Sequence, residues 1–66
     1  MRMWLKELRE NENMTQLDLS KKLGISESYY NMIENGERQR RLRIETARKL
    51  ADVFGISYEY IFEHEA

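Results

Sequence analysis

Arg38, Arg40, Arg41 and Arg43 crowd the stretch ERQRRLR at 37–43. Guanidinium groups at this density suit a row of phosphates. Each cation that neutralises a phosphate releases condensed counterions, and that release supplies much of the affinity for a duplex. The bland reading of the same stretch is a solvated loop. Bond-making chemistry has little to work with. There is no Cys, so thiolate nucleophiles, thiolate metal sites and disulfides are excluded. The one His, His64, lies near the end and reads as a solvated tail residue. No Gly-rich phosphate loop and no evident pair of catalytic carboxylates stands in the sequence. Enzymatic activity, a metal and a cofactor are therefore not expected. At 66 residues there is also little room for a ligand pocket of ~300 Å³ or for a separate effector domain, so no small-molecule effector is expected.

The net charge is −1 and the pI about 5.8, which counts against a nucleic-acid partner if taken alone. The distribution says otherwise. Residues 1–51 hold all 11 bases against 8 acids, whereas 52–66 hold 4 acids and no base. Residues 38–49 hold 6 bases against Glu45 alone. With a Debye length of ~8 Å, such a patch acts locally despite the total. No apolar run approaches the roughly 20 residues of a membrane span. The opening MRMWLKELRE has no apolar stretch of signal-peptide length, so no membrane partner and a cytoplasmic location are expected. The length implies one domain over 1–66, with 63–66 as an acidic tail.

Five short helices must position these groups. Trp4, Leu5 and Leu8 share one face of a helix over about 2–11. Thr15 and Asp18 form a capping-box pattern that starts a second helix, with Leu19 and Leu23 inward. Ser26 caps a third, with Tyr30 and Ile33 inward, running to about Asn35. A fourth, about 44–54, carries Ile44, Ala47, Leu50, Ala51 and Phe54 as a 3.6-period stripe. Ser57 caps a fifth, about 58–63, with Ile61 and Tyr58 inward. Gly24, Gly36 and Gly55 each follow a helical run, where a left-handed terminator belongs. No strand candidate exceeds three or four residues, and the fold class is all-α. Trp4 can anchor the core or offer a stacking platform for bases; its shared face with Leu8 favours the core.

The most informative stretch is QLDLSKKLGISESYYNMI, from Gln16 to Ile33. It reads as a helix-turn-helix. Gly24 supplies the positive φ of the turn. Ser20 is small enough for close crossing, and Leu19, Leu23, Ile25, Tyr30 and Ile33 form the apolar wedge.

In these residues the chain resembles the phage-repressor or Cro-like helix-turn-helix proteins, the xenobiotic-response-element type. The resemblance runs from Leu5 to Phe62. It rests on Thr15-Gln16, Leu19-Ser20, Leu23-Gly24-Ile25-Ser26, Ile33-Glu34-Asn35-Gly36 and Leu50-Ala51-Asp52-Val53-Phe54-Gly55-Ile56-Ser57. It implies a compact five-helix bundle of the lambda-repressor kind, with helices two and three as the helix-turn-helix and helix three as the reader of DNA. It implies a phosphate contact for Gln16, base-edge contacts for Glu27, Ser28 and Met32, and backbone contacts for Ser26, Tyr29 and Asn35. Glu34 matches a structural acid. Three departures stand out: arginines replace the usual proline near Arg41, Ser20 replaces the commonest alanine, and the reading face lacks Arg, Lys and Gln.

Residues 26–35 hold no Lys or Arg, so helix three cannot supply the electrostatic attraction. Arg38, Arg40, Arg41 and Arg43 can, which divides the labour between anchoring and reading. Glu27 can accept from a cytosine N4 amine, or simply favour the helix dipole. Ser28 suits either kind of edge, Met32 a thymine methyl. Tyr29 can hold a phosphate through its hydroxyl or shield the core. A module this small gains specificity by pairing, so a homodimer on a palindromic operator of double-stranded DNA is expected, with half-sites ~34 Å apart. Val53, Tyr60 and Phe62 are the candidate interface; the alternative is that they close the core. The expected function is a sequence-specific transcriptional regulator, a repressor or autoregulator of bacterial, phage or mobile-element origin. The alternative is a protein-interaction module that kept the fold and lost DNA binding, of antirepressor or antitoxin type.

Overall fold

The computed structural model describes residues 1–66. Its elements are α1 (Met3–Asn11), α2 (Gln16–Leu23), α3 (Glu27–Asn35), α4 (Ile44–Phe54) and α5 (Tyr58–Glu65), with no strand. The all-α reading and the five-helix order hold.

The local signals act as their chemistry demands. The Thr15 hydroxyl accepts from the Asp18 N–H at 3.0 Å, and the Asp18 carboxylate accepts from the Thr15 N–H at 2.9 Å. Both partners of the capping box are therefore present. Ser26 and Ser57 cap α3 and α5 by accepting from the amides of Tyr29 and Tyr60. Gly24 ends α2 in the left-handed region at φ 73. Only two residues separate it from the first residue of α3, so the chain must turn here without a longer loop.

The core consists of Trp4, Leu5, Leu19, Leu23, Tyr30, Ile33, Leu42, Ala47, Leu50 and Ile61. α2 packs on α3 and α4, α1 on α3, and α4 on α5. Burying each Leu or Ile side chain stabilises the fold by about 1.5–3 kcal/mol relative to exposure. Ser20 is buried at the α2 crossing, and its hydroxyl bonds back to the Leu17 carbonyl at 2.8 Å. The small side chain thus brings no unpaired polar atom into the crossing.

Two residues expected inside are outside. Ile44 is 67% exposed and Tyr58 43% exposed. Each is the first residue of its helix. Helical side chains lean toward the N-terminus, so at that position they overhang the end instead of reaching the core. Leu42, in the stretch read as a polar connector, takes the inward place instead. α5 also runs two residues further than the spacing predicts, and Glu65 lies within it. No helix is long and apolar enough to cross a membrane.

Gly24→Ala isolates the cost of the turn. A Cβ there meets no atom within 4 Å, so the penalty is backbone strain alone. Urea denaturation should show a loss of about 1–2 kcal/mol with an unchanged m-value.

Candidate nucleic-acid interface

The outer face of the α2–turn–α3 unit is built on a buried ionic network. Glu34, on the inner side of α3, is only 1% exposed. Arg9 of α1 grips it with two bonds, Nε to Oε2 at 2.9 Å and Nη2 to Oε1 at 3.1 Å. The Tyr30 hydroxyl donates to Oε2 at 2.5 Å, and the Gln16 amide donates to Oε1 at 3.3 Å. The remaining Arg9 nitrogen, Nη1, donates to the Met14 carbonyl at 2.8 Å. No buried side-chain polar atom lacks a partner. Burial alone would raise the Glu34 carboxyl. The bonds from Arg9, Tyr30 and Gln16 together outweigh it and hold the group below its ordinary value. Burial and the bond to Glu34 push the Tyr30 phenol up, while Glu34 raises Arg9. The network joins α1, α2 and α3 and fixes the tilt of α3 against its neighbours.

Because the folded-state value of Glu34 lies below its unfolded one, its stabilisation is present above the ordinary carboxylate range. It is lost as pH falls through the folded value. Unfolding midpoints should therefore decline below about pH 4, with a flatter profile for Glu34→Gln. Asp18, lowered by its bond from the Thr15 N–H, titrates in the same direction.

Outside this frame, Glu27 and Ser28 are exposed in the first turn of α3, and Met32 is half-buried one turn on. Ser26 is exposed at the helix start, its hydroxyl oxygen occupied by the Tyr29 amide. Gln16 is half-buried, and its side-chain oxygen accepts from Asn31 at 3.0 Å. Asn35 in turn donates to Asn31 at 3.1 Å. A ladder of amides therefore runs from the head of α2 along α3. Tyr29 is half-buried, and its hydroxyl accepts from the Gln39 amide at 3.1 Å.

The chain leaves α3 through Gly36, and the Met32 carbonyl accepts from the amides of both Glu37 and Arg38. In the connector Arg38, Arg40, Arg41 and Arg43 are exposed. The molecule's ion pairs are Arg2–Glu65 and Arg9–Glu34, so none of the four is neutralised by a carboxylate of its own chain. Four free guanidiniums thus follow directly on the exposed face of α3.

At the other end, Val53 and Tyr60 are half-buried. Tyr60 stacks on His64 at 4.2 Å between ring centres and meets Trp4 edge-on at 6.5 Å. His64 is thus a stacked, exposed member of α5 and not part of a loose tail. Phe62 is 47% exposed and lines one shallow apolar groove with Ile44, Ala47 and Tyr58.

Sequence reasoning missed Arg2, Arg9, Asn31, Gln39 and Leu42. For Arg9 a signal existed: it lies four residues after Leu5, on the inward stripe of α1. A charge on that stripe needs a partner, and Glu34 is that partner. Nothing local betrayed Arg2, whose partners lie 31 to 63 residues away.

Two short helices joined at Gly24, the second with a free polar face, define a helix-turn-helix protein. Residues 5–61 match the helix-turn-helix family, and the chain belongs to it, in its Cro-like branch. Among its relatives is YqaF of Bacillus subtilis (strain 168), named an uncharacterized HTH-type transcriptional regulator. It is 35% identical over 63 residues, covering 96% of this chain and 80% of that protein. MJ0272 of Methanocaldococcus jannaschii, which carries the same description, is 43% identical over 61 residues, covering 92% and 89%. No solved structure matches.

Proposed function

We propose that this chain is a transcriptional regulator that binds double-stranded DNA by sequence, as a homodimeric repressor or autoregulator on a palindromic operator. The observation that carries the reading is the exposed face of α3 followed by four unneutralised arginines. The regulator names of its relatives support it.

In this account α3 enters the major groove. Glu27 accepts from a cytosine N4 amine, Ser28 bonds a second edge and Met32 touches a thymine methyl. Arg38, Arg40, Arg41 and Arg43 hold phosphates and carry no sequence information. Gln16, Ser26, Tyr29 and Asn35 border the sugar-phosphate path. Asn31 donates to Gln16 and accepts from Asn35, which holds both amides in place before DNA arrives and reduces the ordering cost of binding.

The second copy meets the α4–α5 end, at Val53, Tyr60 and Phe62. Phe62 offers the most free apolar surface of the three, and Ile44 and Tyr58 extend it. The test is selection of binding sites from a random duplex library, read by sequencing. Two half-sites about one helical turn apart, with a cytosine preference that disappears in Glu27→Ala, support the account. Failure to enrich any duplex at low salt overturns it and favours a protein-interaction module.

A further inference from the structure

The residue with the most unusual surroundings is Arg2. It precedes α1, yet it is 6% exposed and every N–H of its guanidinium faces an oxygen. Nε donates to Glu65 Oε2 at 2.8 Å. Nη1 donates to the Ile33 carbonyl at 2.5 Å and lies 3.5 Å from that of Arg38. Nη2 donates to the Gln39 carbonyl and lies 3.4 Å from that of Arg40. The Arg2 amide donates to the Glu34 carbonyl at 2.7 Å. Glu65 is clamped from a second side by the Trp4 indole N–H at 3.0 Å.

This arrangement bears on the connector. Residues 37–43 form no helix or strand, and four like charges there repel one another. Gln39 stands at φ 52, a left-handed conformation that a non-glycine residue adopts at a cost. Something must hold that path. The carbonyls of three successive residues, 38 to 40, turn inward around one cation, and the exposed side chains of Arg38 and Arg40 lie on the outside. The Gln39 side chain completes the turn, donating to Tyr29 and accepting from the Arg43 amide.

We propose that Arg2 is the positioning residue of the phosphate anchor: its guanidinium, clamped by Glu65 of α5, shapes the connector so that Arg38, Arg40, Arg41 and Arg43 meet one duplex together. The proposal rests on the reading of those arginines as phosphate contacts. It joins the end of α5 to the DNA face through one side chain. Lysine does not substitute, because an ammonium has three donors and no planar fork for five oxygens.

The test is duplex affinity as a function of salt, with folding followed by circular dichroism in the same buffers. The probe is a duplex recovered from the random-library selection. Arg2→Met should weaken binding about tenfold and make the slope of log K against log salt shallower by about 1. Arg2→Lys should behave like Arg2→Met, since position and not charge is lost; full rescue by Lys overturns the proposal. So do an unchanged slope and an affinity loss explained wholly by unfolded protein. If Arg2→Met fails to fold, Glu65→Gln decides: a smaller loss with a shallower slope supports the proposal, and a wild-type slope overturns it. Arg40→Ala separates the two claims. If it flattens the slope while the Arg2 and Glu65 variants do not, the positioning role fails and the anchor stands. If Arg40→Ala also leaves binding unchanged, the anchor itself is wrong.

Discussion

Glu34→Leu should destabilise the protein by about 3–5 kcal/mol, the usual cost of removing one partner from a buried ion pair. The loss falls on several groups at once. Arg9 keeps a buried charge with one carbonyl left as partner, and the Tyr30 hydroxyl and Gln16 amide lose their acceptor. At the usual stability per residue, 66 residues give a total of roughly 3–10 kcal/mol, so one substitution takes a large part of it. The pair itself is a different matter. The double variant Arg9→Met with Glu34→Leu removes both charges and should be far closer to wild type than either single variant. Urea denaturation of all four proteins measures the coupling. Additive losses would show that the carboxylate is not what holds Arg9.

The second large effect concerns binding. Arg40→Ala combined with Arg41→Ala should weaken duplex affinity roughly 60-fold at about 0.1 M salt, since each phosphate contact contributes about 0.9 of a decade there. The slope of log K against log salt should fall by about 1.8. Both residues are exposed and neither pairs with a carboxylate, so stability should stay within about 0.5 kcal/mol. Glu27→Ala provides the contrast. It should change which bases are preferred and leave the slope nearly unaltered, because it releases no counterion. Fluorescence anisotropy across a salt series reads both quantities.

Much of the fold was legible because its signals are local. Thr15 with Asp18, Ser26, Ser57 and the three glycines mark helix ends through atoms within a few residues, and each does so in the structure. The inward positions of Leu19, Leu23, Tyr30, Ile33 and Leu50 follow from period alone. Period misleads at helix starts, where Ile44 and Tyr58 match the stripe but overhang the core. Leu42 was hidden by its neighbours: among arginines it reads as connector, yet the chain turns it inward.

The candidate site was legible in part for the same reason. Exposure of Glu27 and Ser28 and the free state of the arginines follow from the polar side of a short helix and a polar loop. The groups that hold this face do not follow. Arg9 meets Glu34 from 25 residues away, and Arg2 meets Glu65 from 63. Such pairs depend on how α1 and α5 dock, and no local pattern encodes that docking. The extension of α5 belongs here too, since Glu65 has charged and aromatic partners only in the folded chain.

The most direct measurement is a map of backbone and side-chain NMR shifts as a selected duplex is added to the labelled protein. Large changes are expected at residues 26–32 and 38–43, smaller ones at the head of α2 near Gln16, and saturation at one protein per half-site. Changes centred on Ile44, Tyr58 and Phe62 with α3 silent, or none at any low-salt condition, would contradict it.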